Sequence, residues 1–255
     1  MSVYNLISNA FHQHRTLLFV LIDPDNMEKA ALPAFIADAE RSGVDGFLVG
    51  GSLSLLDSLD AHIQIVKKHT AKPVVIFPGG VHHISPFADA IMFLSLISGR
   101  NADQLIGQHV IAAPIIKRLN LEAISTGYML IESGRTTTAE YMSNSKPIPR
   151  NKPQIAAAHA MAAELLGMKM LYLEAGSGAE QPVPEEMVSL TKRSVNIPLI
   201  VGGGIRTPGV AWERAHAGAT VIVIGNHFED EHHHVQMKAF ADAVHASSPG
   251  LSITV

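Results

Sequence analysis

Apolar and polar positions alternate between two periods along this chain. The run TLLFVLID at residues 16–23 is apolar, rich in strand formers and stopped by Pro24. The following MEKAALPAFIADAERSG spaces its apolar residues as a helix does and ends at Gly43. The same strand-then-helix unit recurs. DGFLVGGS (45–52) leads into LSLLDSLDAHIQIVKKHT, and PVVIFPGG (73–80) leads to a further strand, AIMFLSLIS (90–98). Helical spacing in NADQLIGQHVIAAPIIKRLN precedes a strand around LEAISTGYMLIE. A helix over 154–167 then precedes the strand MKMLYLEAG (168–176). The last units are PVPEEMVSLTKRSVN as helix, IPLIVGGG as strand, TPGVAWERAHAGA as helix, TVIVIGN as strand and HHHVQMKAFADAVHA as helix.

This pattern predicts eight strands. Their nearly continuous apolar character implies burial on both faces, as in a parallel sheet. Helices between the strands, with no composition shift or long flexible linker, predict one α/β domain over residues 1–255. The chain's 255 residues match the roughly 250 of a (β/α)8 TIM barrel. An open doubly wound sheet is the rival architecture; eight regular units and the glycines near the end favour closure.

Two places break the repeat. VHHISPFAD, between Gly80 and Ala90, is too short and too interrupted by Pro86 for a full outer helix, so a loop is expected in place of the third helix. SGRTTTAEYMSNSKPIPRNKP, between Glu132 and Gln154, is polar and punctuated by proline. It reads either as a loop covering the substrate or as an ordinary surface loop.

Composition narrows the function classes. Hydrophobic residues make up 47% and charged residues 16%, enough apolar material for a large core and too little charge for disorder. A net charge of −4 with scattered lysines and arginines offers no basic stripe for nucleic acid. The absence of cysteine excludes disulfides, thiolate metal sites and a cysteine nucleophile, and fits a reducing compartment. The first fifteen residues are too polar for a signal peptide, and no apolar run reaches the ~20 residues that span a bilayer; a cytoplasmic location is expected.

VGGGIRTPG (201–209) carries the strongest local chemistry. Successive glycines at a strand end leave backbone N–H groups open to a close anion. Gly203 and Gly204 are the candidate donors, with Gly225 and Asn226 of IGN at the end of the eighth strand; a tight turn is the plain structural alternative. Loops after strands seven and eight are where barrels commonly hold phosphate. In YLEAGSG (172–178), Glu174 ends strand six beside Ser177. It is a candidate for binding a polyol or accepting its proton, with a structural ion pair as the alternative. Across the rim, Asp23 and Asp25 close strand one and Ser52 closes strand two. These are hard oxygen donors of the kind that suits Mg²⁺, although for Asp25 capping the first helix together with Asn26 is the preferred reading. The fourteen histidines, including His82, His83 and the run 232–234, lack the spacing of a chelating set. No GxSxG elbow, Walker loop or HExxH is present.

Taken together, LIDPDN, GFLVGGS, LIGQH, KPIPRNKPQIAAAHAMAAELLGMK, YLEAGSGA, PVPEEM, VGGGIRTP and VIVIGNHFED resemble the geranylgeranylglyceryl phosphate synthase family, in order and over nearly the whole chain. The resemblance implies Mg²⁺-dependent transfer of a polyprenyl group, usually geranylgeranyl, from its diphosphate to the 3-hydroxyl of sn-glycerol 1-phosphate. Residue by residue, it implies a glycerol phosphate site at Tyr172, Leu173, Glu174, Ala175, Gly176, Ser177, Gly178, Gly203, Gly204, Gly225 and Asn226. It implies magnesium at Asp23 and Ser52, and a barrel lacking its third helix. Leu21 stands where some relatives, including the bacterial heptaprenylglyceryl phosphate synthases, carry lysine, which places the chain nearer the branch with LIDP. A homo-oligomer, and peripheral membrane contact through the lipid product, are further implications.

Glu174 is the expected proton acceptor, and the side chains around Phe77, Ile91, Phe93 and Leu96 are expected to line a groove for the prenyl tail or else to be barrel core. Three other readings share the phosphate cradle. They are a prenyltransferase of another chain length, a sugar-phosphate isomerase or aldolase, and a noncatalytic phosphate-binding barrel.

Overall fold

The computed structural model describes residues 2–53 and 58–247. Eight parallel strands close on themselves in sequence order: β1 Leu17–Ile22, β2 Gly46–Gly50, β3 Val74–Phe77, β4 Ala90–Leu96, β5 Glu122–Leu130, β6 Met170–Glu174, β7 Leu199–Gly202 and β8 Val221–Ile224. Closure is made by Leu17 to Val20 of β1 aligning with Val221 to Ile224 of β8. The expected TIM barrel is the observed fold.

Alternation along each strand sorts the core into two layers. Leu17 and Phe19, Leu48, Val75, Met92, Ile124, Met170, Ile200 and Val221 fill the barrel interior. Leu18, Val20 and Ile22, Val49, Ile76, Leu171, Leu173 and Val201 face outward into the layer beneath the helices. The interior is filled to contact: a Cβ at Gly46 would stand 2.7 Å from the Phe19 ring. This position requires glycine because a bulky neighbour occupies the space.

Nine α-helices lie among the described residues: α1 Val3–His12, α2 Leu32–Ser42, α3 Leu59–His69, α4 Gln108–Leu119, α5 Thr138–Ser143, α6 Pro153–Leu165, α7 Glu185–Ser194, α8 Pro208–His216 and α9 Met237–Ala246. None is long and apolar enough to cross a membrane. The hydrophobic pattern did not single out α1. Its Val3, Ile7 and Ala10 belong to the interior cluster, so the helix plugs the barrel floor. The Glu122 carboxylate at the start of β5 accepts from the N–H groups of Val3 (2.8 Å) and Tyr4 (3.0 Å), fixing the helix start.

α2 begins five residues after the predicted Met27. Residues 27–31 form turns instead, in which the Asp23 carbonyl accepts from Asn26 and Met27 and the Glu28 carbonyl from Ala31. For the second helix, residues 54–57 of the predicted span lie outside the described residues. The last helix is shorter than its pattern. Glu231–Gln236 is a 3-10 turn in which His233 and His234 each place a ring nitrogen on a carbonyl of the preceding turn, those of His227 and Phe228. Between β3 and β4, residues 78–89 contain no helix, as expected from their length.

Candidate active site

The strand tips of β1, β2, β6, β7 and β8 surround a cavity of about 320 Å³ at the C-terminal rim of the barrel. Asp23, Ser52, Tyr172, Glu174, Gly176, Ser177, Gly178, Gly203, Gly204, Gly225 and Asn226 all line it. Leu173 and Ala175 do not. Their side chains point into the outer core layer, and the Ala175 amide is engaged by the Gly202 carbonyl at 3.0 Å. The period of a strand forces this split, because neighbours of an inward Tyr172 and Glu174 must face out.

At the β6, β7 and β8 tips the cavity wall is mostly backbone. Gly176, Gly178, Gly203 and Gly204 have φ of 99°, 69°, 83° and 70°, the left-handed region that glycine enters without strain. At Gly203 a Cβ would lie 2.4 Å from Glu174 Oε1 and 2.6 Å from the Gly176 nitrogen, filling the cradle. Arg206, the arginine of VGGGIR, adds positive charge to the lining and donates to the carbonyls of Ala179 (2.6 Å) and Glu180 (3.2 Å). It ties the β7 loop to the β6 loop, a role that the VGGGIR motif alone does not reveal. At these three strand tips, backbone amides beside the Arg206 guanidinium suit a small anion.

Glu174 forms the inner wall. Burial pushes its carboxyl up to about 7, opposed by the Gly176 N–H, which donates to Oε1 at 2.6 Å. Such a carboxylate is poised to take a proton near neutrality. Beneath it, Phe77, Tyr128 and Tyr172 form a triangle of rings with centroids 5.4 to 5.9 Å apart.

On the opposite rim, burial is the largest cause raising the Asp23 pKa, the Asp25 N–H opposes it at 3.0 Å from Oδ1, and the Glu229 carboxylate adds to the rise. Asp23 thus closes a turn with its own side chain, and the expected capping of the helix after β1 by Asp25 and Asn26 is not what forms. Asp25 lines the cavity, and α2 starts without a side-chain cap. A chain of side chains crosses the mouth. Ser177 donates to Asn226 Oδ1 (2.8 Å), Asn226 donates to Glu229 (3.0 Å), and Asn26 donates to both Glu229 (3.3 Å) and Asp23 (3.2 Å). Asn26 and Glu229 are functional candidates that the strand-end search missed. Glu229 lies three residues beyond Asn226, in a turn rather than at a strand tip.

Among the described residues no three His, Asp or Glu side chains are grouped to hold a metal by themselves. The Asp23 carboxylate stands 3.1 Å from a Cβ position on Gly51, directly before Ser52. One carboxylate and one hydroxyl, with Asp25 and Glu229 adding negative charge, fit an ion such as Mg²⁺ that keeps few protein ligands and takes the rest from water and phosphate.

A second cavity, of about 430 Å³, opens beside the first on the sector that lacks its helix. Its wall includes Phe77, Ile91, Phe93 and Leu96, together with Ala112 and Ile116 of α4. The residues common to both cavities are Ser52, Phe77 and Tyr128. The stretch after β5 that was expected to be a loop contains the short helix α5, started by the Thr137 hydroxyl accepting from the Glu140 N–H; from it Thr138 reaches the first cavity, while Ala139, Met142 and Ser143 reach the second.

Residues 10–244 match the PcrB family. The geranylgeranylglyceryl phosphate synthase of Chitinophaga pinensis is 45% identical over 253 residues, covering 98% of this chain and 100% of that protein. The protein of the same name from Korarchaeum cryptofilum is 46% identical over 216 residues, 85% of this chain and 88% of its own. Among solved structures, the (S)-3-O-geranylgeranylglyceryl phosphate synthase of Thermoplasma acidophilum in complex with sn-glycerol-1-phosphate superposes with a TM-score of 0.90. It shares 33% identity, over 96% of this chain and 99% of that one. The tryptophan synthase alpha chain of Legionella pneumophila, 13% identical with a TM-score of 0.63 over 96% of this chain and 97% of its own, shares the fold alone. By the extent of the family match and the identity to these relatives, the chain is a member of the PcrB family.

Proposed function

We propose that this protein is a prenyltransferase that joins a polyprenyl diphosphate, geranylgeranyl by the names of its relatives, to the 3-hydroxyl of sn-glycerol 1-phosphate. The observation that carries this reading is the juxtaposition of two unlike cavities sharing one wall. One is lined by amides and Glu174, and the other by apolar side chains. A phosphorylated polyol fits the first and an isoprenoid tail the second.

The amides at Gly203, Gly204 and Gly225, with Ser177 and Asn226, hold the phosphate. They place the polyol hydroxyl against Glu174, whose carboxylate accepts its proton as the new C–O bond forms. The bond to diphosphate breaks with its electron pair on the leaving oxygen. Asp23 and Ser52 would hold Mg²⁺, which when bound neutralises charge on that leaving group.

Incubation with Mg²⁺, labelled glycerol 1-phosphate and a ladder of polyprenyl diphosphates, followed by organic extraction, tests the reaction and the tail length together. Label entering the organic phase, abolished by a chelator that leaves glycerol phosphate binding intact, is the expected result. Label retained in water with every donor overturns the assignment.

A further inference from the structure

Breaking the bond between an allylic carbon and diphosphate leaves positive charge on the carbon before the glycerol oxygen closes on it. If the diphosphate sits by Asp23, the hydroxyl by Glu174 and the tail in the apolar cavity, as proposed above, the reacting carbon lies where the cavities meet. Three residues wall that junction: Ser52, Phe77 and Tyr128. Ser52 is committed to the metal, which leaves two aromatic rings. A carbonyl or a water there would capture the cation. An aromatic face stabilises it without offering an electron pair for a bond.

We propose that Phe77 and Tyr128 are catalytic residues whose rings stabilise the allylic cation at the junction of the two cavities. Both rings are held in place. Phe77 is 5% exposed and Tyr128 6%, and each packs on the other (5.9 Å, 66°) and on Tyr172 (5.6 Å, 43° for Phe77; 5.4 Å, 84° for Tyr128). They need no reorganisation when the charge appears. Burial also keeps the Tyr128 phenol protonated, its pKa pushed well above the ordinary range, so it does not compete with glycerol as a nucleophile. The step balances without another reactant: the C–O electron pair leaves with diphosphate, the glycerol oxygen supplies the new bond, and its proton passes to Glu174.

The test uses a prenylamine of the donor's chain length, cationic at neutral pH, and the neutral prenyl methyl ether. Each is titrated calorimetrically into enzyme holding Mg²⁺ and inorganic diphosphate. The wild type is expected to prefer the amine. That preference should fall about 5- to 30-fold in Phe77→Leu and in Tyr128→Leu, and should be retained in Tyr128→Phe, which keeps the ring and loses the hydroxyl. Glycerol phosphate affinity, measured on the same samples, reports an intact barrel. An unchanged preference in both leucine variants overturns the aromatic role, and a loss in Tyr128→Phe equal to that in Tyr128→Leu assigns it to the hydroxyl instead. Ala112→Trp keeps the two proposals apart. It should weaken the neutral ether, and an ether bound as tightly as by wild type overturns the tail's placement and the junction with it.

Discussion

The two cavities on this rim are built by opposite means. The cradle at β6, β7 and β8 is made of backbone: four glycines with positive φ, their amides, and a carboxylate at a strand end. The apolar cavity is made of side-chain size and of an omission, the helix missing between β3 and β4. The first selects by hydrogen-bond geometry, which tolerates no added atom. The second selects by volume, which can be enlarged or reduced by degrees.

The largest expected effect breaks the cradle's chemistry without changing its shape. Glu174→Gln should lower kcat by on the order of 10²- to 10⁴-fold while leaving glycerol phosphate affinity near wild type, as steady-state kinetics and calorimetry would read. In the wild type, kcat/KM should rise with pH through about 7, because the base is the ionised form. The same residue carries a stability cost of defined sign. Its folded pKa lies above the ordinary 4.5, so ionisation penalises the folded state; the penalty is absent below about 4.5 and complete above about 7. Glu174→Gln should therefore unfold at higher denaturant than wild type at pH 8, by up to about 3 kcal/mol, and show no gain at pH 4.

Next in size is Gly203→Ala. The added Cβ at φ 83°, 2.4 Å from Glu174 Oε1, should weaken glycerol phosphate binding by about 10- to 100-fold, measured as Kd. In the other cavity, Ala112→Trp should reduce turnover of long donors on the order of tenfold and of short donors less, with glycerol phosphate Kd unchanged. Equal losses for all donor lengths would show that the tail does not reach α4. The smallest effect is expected from Asn26→Ala, which removes the link between Asp23 and Glu229. A rise of about fivefold in half-saturating Mg²⁺ would match the loss of one such bond, and no rise would separate that network from the metal.

The cradle was legible in the chain because each part is local. GGG after an apolar strand, or EAGSG after another, gives both the conformation and its place at a strand tip within a few letters. Tyr172 and Glu174 could be placed inside by the period of two, and the same period turns the side chains of Leu173 and Ala175, which family likeness includes with them, into the outer core layer. Phe77, Ile91, Phe93 and Leu96 were nameable as groove or core but not as one rather than the other. What separates the two is the sector without a helix beside them and the way α4 packs over it, which brings Ala112 and Ile116 to the same wall. Helix α1 carries a helical stripe of Val3, Leu6, Ile7 and Ala10, but it stands before the first strand, outside the strand-then-helix repeat, so the repeat does not point to it. Burial against the barrel floor, not propensity, makes it a stable helix.

By itself, the sequence determined the eight alternating units, the missing third helix and the residue types at each strand tip, and it favoured a closed barrel. These follow from periodicity and from glycine's backbone freedom, both of which act over a few residues. Only the tertiary structure decided that Asn26 and Glu229 bridge the rim, that Arg206 clamps two loops, that Glu174 is buried enough to titrate near 7, and that Phe77 and Tyr128 stand where two cavities meet. Burial, desolvation and shared cavity walls are sums over neighbours brought together by closure of the barrel, and no local stretch of sequence contains them.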